Sequence, residues 1–274
     1  LPAPGATLAD GFYRIEFAWP SEFSQPVNAT VRRFEQCSVL PAGSCEDNGG
    51  VPYADDELGV DDAASFELSL VFDDQLHVIY KFTYDGKLVM TLGTKGQRGR
   101  DAGRLFDRPT DIAWLPDGTF FVSDGYTNTR VVKFSPEGKY LTSWGTSSEG
   151  KANPGPNEMH TVHSVAGGRD RKVYVSDRTN SRIQIFDENG KFLDMWTNIR
   201  RPYHVLMSRD QFLWVSDGET HKMLKYDLTG KFLYGWGTFG PMAGRFNGVH
   251  QFSVDQENNL YTAEVFNGRA QKFR

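Results

Sequence analysis

Residues 121–144 read FVSDGYTNTRVVKFSPEGKYLTSW, and the pattern returns at 174–196 as YVSDRTNSRIQIFDENGKFLDMW and at 214–236 as WVSDGETHKMLKYDLTGKFLYGW. A fourth copy, YTAEVFNGRAQKF, occupies 261–273, and a looser one begins at Leu70-Val71-Phe72-Asp73. Each copy holds short runs of Val, Ile, Phe, Tyr and Trp, which read as strands. The Gly-Lys and Asn-Gly pairs between them read as hairpin turns. A further short strand precedes each run, so the unit is a four-stranded antiparallel meander recurring every 41 to 52 residues, which suits a propeller blade. One such sheet cannot cover both its faces alone, so the units stack around an axis. The expectation is an all-β, six-bladed β-propeller. Four units are clear, one near 55–93 is degenerate, and the stretch near 20–55 is unassigned. The last unit stops after its third strand, and the N-terminal run Phe12–Trp19 is expected to supply the fourth and close the ring. The whole chain is read as one propeller domain, irregular over 1–65 and clearly repeating over 66–274.

The 274 residues carry a net charge of −5 with acids and bases interspersed, which argues against nucleic acid or an anionic membrane as partner. No apolar run reaches the ~18 residues of a membrane span. Cys37 and Cys45 lie eight residues apart in a Pro/Gly/Ser loop and read as a local disulfide, and Asn28-Ala29-Thr30 is a glycosylation sequon. With a start at Leu-Pro-Ala-Pro, these features read as a secreted chain, extracellular or periplasmic.

Of the six histidines, three fall at one place in the repeat. His163, His204 and His250, together with Asp111, stand at the third residue of Thr161-Val162-His163-Ser164, Pro202-Tyr203-His204-Val205, Gly248-Val249-His250-Gln251 and Pro109-Thr110-Asp111-Ile112. The acid of the following strand comes 13 residues after Asp111 and His204, and 14 after His163 and His250. Residues in one register of a propeller meet at its axis. Three imidazoles with one open position suit zinc, and copper, iron or nickel are compatible. Asp111 is a fourth ligand, an orienting acceptor for a histidine N–H, or a base. Three strand-capping histidines in a polar tunnel are the bland alternative. The acids Asp124, Asp177, Asp217 and Glu264 form a second ring, read as fixing turns through backbone N–H groups.

The segments Ser123-Asp124-Gly125-Tyr126-Thr127-Asn128-Thr129-Arg130 and Ser176-Asp177-Arg178-Thr179-Asn180-Ser181-Arg182 resemble NHL repeats. Within those repeats, the chain is similar to the peptidyl-α-hydroxyglycine α-amidating lyases over roughly 66–273. That family's fold is a six-bladed propeller with a channel zinc on three histidines and a structural calcium. Its reaction takes a carbinolamide to a peptide amide and glyoxylate. The resemblance implies zinc ligation by His163 and His250, a catalytic base at Tyr126, and an active-site arginine at Arg178. The chain departs from the pattern in three ways. Residues 51–69, where the remaining zinc histidine belongs, contain none; the acid after the last zinc histidine is Gln251, which removes a calcium ligand; and no upstream arginine matches.

Three functions are therefore open. The first is a metal-dependent lyase acting at a hydroxyl-bearing carbon of a peptide or small molecule. In it His163, His204 and His250 hold the metal, Tyr126 accepts the proton, Asp111 supports the ring and Arg178 holds a carboxylate. The second is a hydratase, hydrolase or lactonase using metal-bound hydroxide. The third is a non-catalytic binding module, because propellers host many functions.

Overall fold

The computed structural model describes the strand backbones 13–17, 29–33 and 69–73, and residues 75–82, 88–101, 103–255, 257 and 259–274. Cys37, Cys45 and Asn28 lie outside them. The chain divides into two compact units, residues 1–67 with 83–87, and residues 68–82 with 88–274. In the first, β1 (Tyr13–Phe17) pairs antiparallel with β2 (Ala29–Arg33).

The second unit is all β among the described residues, in a β-propeller arrangement. A three-stranded sheet comes first: β3 (Ser69–Asp73), β4 (Val78–Phe82) and β5 (Leu88–Leu92). Four-stranded meanders follow. One is β6 (Asp111–Trp114), β7 (Phe120–Asp124), β8 (Arg130–Phe134) and β9 (Tyr140–Trp144). A short parallel pair, β10 (Thr146–Ser147) with β11 (Glu158–Met159), spans the next connection. The second meander is β12 (Val162–Gly167), β13 (Lys172–Asp177), β14 (Arg182–Asp187) and β15 (Phe192–Trp196). The third is β16 (Pro202–Met207), β17 (Leu213–Asp217), β18 (Lys222–Tyr226) and β19 (Phe232–Trp236). The last sheet, β20 (Val249–Val254), β21 (Leu260–Glu264) and β22 (Arg269–Phe273), has three strands. The first strands β6, β12, β16 and β20 lie against one another in chain order and line the inner side.

The Tyr13–Phe17 core of the Phe12–Trp19 run, expected to close the ring, pairs with Ala29–Arg33 within the first unit, and the β20–β22 sheet has three strands among the described residues.

Neighbouring sheets are joined by apolar layers. Phe121, Val131 and Trp144 pack with Val165, Val173, Val175 and Phe186, all buried. Tyr174, Ile183, Ile185 and Trp196 pack with Leu213, Val215, Leu224 and Tyr226. Full burial of each such side chain contributes roughly 1.5–3 kcal/mol. Tryptophans ending fourth strands pack against the next sheet: Trp144 on Phe186 and Trp196 on Tyr226, ring centroids 5.7 Å apart in both. The turn glycines make room for them. Gly190 has φ of +87°, and a Cβ there would stand 2.6 Å from the Trp144 ring.

Arginines lock the loops to the sheets. Arg182 donates from Nε to Asp177 (2.7 Å) and from its terminal nitrogens to the carbonyls of Pro154, Gly155 and Glu158. Arg130 makes the same bridge from Asp124 to the carbonyls of Arg100 and Leu105, and Arg269 from Glu264 to those of Pro241, Met242 and Arg245. The ring of acids is thereby structural. Asp124, Asp177, Asp217 and Glu264 each accept a backbone N–H of the incoming loop, from Asp107, His160, Arg200 and Asn247.

Candidate active site

The inner strands do not run straight. β12 carries a register shift between Val162 and Ser164, β16 between Pro202 and His204, and β20 between Val249 and Gln251. His163, Tyr203 and His250 are the inserted residues of these bulges. Across the ladder, Ser123, Ser176, Ser216 and Ala263 face Asp111, Ser164, His204 and Gln251. The expected single ring is therefore two adjacent rings. One holds His163, Tyr203 and His250; the other holds Asp111, Ser164, His204 and Gln251. The physical cause is the extra residue of each bulge, which re-aims side chains by one position. The sequence carried a signal of it in the alternation of 13- and 14-residue spacings.

The first ring faces Tyr126. The Tyr126 hydroxyl lies 3.0 Å from His163 Nε2 and 3.5 Å from His250 Nε2, and the two imidazole centroids are 4.6 Å apart. The Nδ1–H of His163 donates to the Tyr203 carbonyl at 2.6 Å. Burial and the charges of His250 and Arg178 hold His163 well below the usual histidine range. It is therefore a neutral imidazole whose Nε2 lone pair accepts the Tyr126 O–H. The Arg178 guanidinium lies 5.5 Å from the Tyr126 ring centroid, and Arg108, which motif reading missed, lies 4.5 Å from it.

Repeat geometry explains why Tyr126 and Arg178 meet. The amides of Tyr126, Arg178, Gly218 and Val265 donate to the carbonyls of Arg108, Thr161, Arg201 and Gly248. Those four acceptors share a positive φ between 48° and 68°. Tyr126 and Arg178 thus hold one position in adjacent sheets. Gly125 is the extra residue that puts Tyr126 there, and a Cβ on it would stand 1.5 Å from the Val162 carbonyl oxygen. In the preceding unit the structural counterpart of Arg178 is therefore Tyr126, not Gly125.

His204 belongs elsewhere. Its Nδ1 accepts the Phe252 N–H at 3.4 Å, so its proton sits on Nε2, 3.5 Å from Asp111 Oδ2. Asp111 Oδ2 also accepts Ser164 Oγ–H and the Val165 N–H. His204 in this tautomer offers no lone pair toward His163 and His250. Asp111 likewise belongs to this second ring and makes no hydrogen bond to His163. The described residues provide two imidazole nitrogens at Tyr126, and among them no group of three His, Cys, Asp or Glu side chains stands close enough to hold a metal. Two imidazoles do not make up the three-histidine zinc set that the resemblance implies.

Burial raises Asp111 to about 7 and lowers His204 to about 3. A native carboxyl that binds its proton more tightly than the unfolded chain stabilises at low pH, and that contribution is lost as pH rises from about 4 to 7. Relative to Asp111→Asn, the wild type is expected to lose on the order of 1.4 kcal/mol per pH unit across that window. Denaturant melts of both proteins at pH 4.5, 5.5 and 6.5 check this; parallel profiles would remove Asp111 from the account. His204 works in the opposite sense, losing its contribution as pH falls from about 6.5 to 3, so the wild-type profile itself is nearly flat over the shared range.

No family model matches the chain. Over 126 residues, 44% of this chain, it is 41% identical to the peptidyl-glycine alpha-amidating monooxygenase of Mus musculus, of which the match covers 13%. It is 35% identical over 134 residues, 46% of the chain, to the peptidyl-alpha-hydroxyglycine alpha-amidating lyase 1 of Drosophila melanogaster, 24% of that protein. It is 33% identical over 126 residues, 44% of the chain, to the NHL repeat-containing protein 3 of Homo sapiens, 35% of that protein. The match thus spans only an eighth to a third of these relatives' lengths. Among solved structures, a streptogramin B lyase superposes with TM-score 0.52 at 12% identity, over 74% of this chain and 64% of that one. A virginiamycin B lyase from Staphylococcus aureus gives 0.50 at 12% identity, over 77% and 70%. These two carry the fold alone. The resemblance to amidating lyases and NHL-repeat proteins read from the motifs is present in sequence.

Proposed function

We propose that the chain acts as a lyase on peptides ending in α-hydroxyglycine, releasing the peptide amide and glyoxylate, on a six-bladed scaffold whose described sheets lie in residues 68–274. The observation that carries this reading is the Tyr126 hydroxyl set between His163 Nε2 and His250 Nε2, beside two guanidiniums. Tyr126 takes the proton of the substrate hydroxyl as its own proton passes to His163 Nε2. The oxygen's electron pair forms the carbonyl of glyoxylate, the C–N bond breaks, and the departing amide nitrogen takes a proton back from the same couple. Arg178 holds the substrate carboxylate, and both guanidiniums favour the anionic form of Tyr126.

The test is glyoxylate release from a synthetic peptidyl-α-hydroxyglycine, run without metal and with zinc, copper(II) or iron(II) added. Release above the uncatalysed rate is expected. None under any condition would overturn the proposal and leave the NHL-type binding module, which the two-imidazole ring and the likeness to the NHL repeat-containing protein favour as second reading.

A further inference from the structure

The residue that shares the ring of His163 and His250 is Tyr203, and nothing in the motifs singles it out. Its ring centroid stands 5.6 Å from that of His163 and 5.7 Å from that of His250. The Arg178 guanidinium carbon lies 5.3 Å from the Tyr203 centroid and 5.5 Å from that of Tyr126, so the cation rests between two phenol rings. The Tyr203 carbonyl fixes the His163 tautomer. The opening that admits the Tyr203 ring is Gly218, where a Cβ would meet ring atoms at 2.7 Å. In the equivalent position the two preceding sheets carry Tyr126 and Arg178. A missing side chain at 218 and an inserted aromatic at 203 thus complement each other.

We infer that Tyr203 is the positioning residue of the site: its ring, admitted by Gly218, holds the Arg178 guanidinium where a substrate carboxylate is received. This rests on the lyase reading for the identity of the anion, but the positioning itself does not need turnover. A guanidinium on a flexible stem samples many rotamers, and an aromatic face attracts it electrostatically, most strongly where water is partly excluded. Pre-organised, it loses less freedom on gripping a planar carboxylate, which lowers KM for anionic substrates and leaves the proton transfer at Tyr126 nearly untouched.

Two measurements on the whole chain test it. The first follows the Arg178 Nε–H resonance, assigned by its loss in Arg178→Lys. Restricted side-chain motion is expected in the wild type and in Tyr203→Phe, and averaging in Tyr203→Leu and Gly218→Ala. Equal motion in all four overturns the inference whether or not the protein turns over. The second compares kinetics. Tyr203→Leu and Gly218→Ala are expected to raise KM for the free-carboxylate substrate roughly tenfold with kcat within about twofold, and Tyr203→Phe to restore KM. A loss confined to kcat, or no rescue by phenylalanine, would also overturn it. A wild type that releases no glyoxylate, yet holds Arg178 rigid only when an aromatic occupies 203, sinks the lyase reading and leaves the positioning intact.

Discussion

Replacing Tyr126 with phenylalanine is expected to lower kcat for glyoxylate release by about 10²- to 10⁴-fold, the usual contribution of a positioned acid–base group. KM should change little, because the ring still stands beside Arg108 and Arg178. The substitution deletes one oxygen, the one 3.0 Å from His163 Nε2 and 3.5 Å from His250 Nε2. A fall in kcat and kcat/KM together is the signature of an interaction made only in the transition state. Stopped assays over pH 5 to 9 would check it. His163 should contribute no bell-shaped limb near pH 6.5, since burial and the neighbouring charges keep it neutral there. A phenylalanine variant within a few-fold of the wild type would remove Tyr126 from the chemistry and shift attention to the imidazoles.

The second large effect concerns stability. Arg182→Met is expected to cost roughly 3–5 kcal/mol, read as the shift of the denaturant midpoint. Arg182 and Asp177 are 5% and 0% exposed, so the pair sits out of water. Removing the guanidinium strands a carboxylate that keeps only neutral donors from Asn180, Gln184 and the His160 amide. The connection that carries β10 and β11 also loses three carbonyl acceptor contacts. The double variant Arg182→Met, Asp177→Asn should recover a substantial part of the loss, because the uncompensated charge is the larger penalty. Equal losses in single and double variants would mean that the loop contacts, not the buried charge, set the cost.

The chain order of strands, the turns and the stacking of sheets were legible in the repeated segments. Val131-Val132-Lys133-Phe134 and its sisters have the composition of buried strands, and the glycine of each Gly-Lys turn is required both by its φ and by the tryptophan against it. The structural office of Asp124, Asp177 and Glu264 was legible too, because an acid at this place in each repeat reads as fixing a turn through backbone N–H groups. The sequence likewise marked Tyr126 and Arg178.

What the sequence by itself determined was the propeller arrangement of repeated sheets and the presence of tyrosine, arginine and histidine at one end of its inner strands. Tertiary structure alone decided which of them meet. Counting along the chain puts His163, His204 and His250 in one ring; the hydrogen-bonded ladders put Tyr203 there and pair His204 with Asp111. The direction of a side chain on a strand follows from pairing with the next strand, and one bulged residue shifts every side chain beyond it by one place.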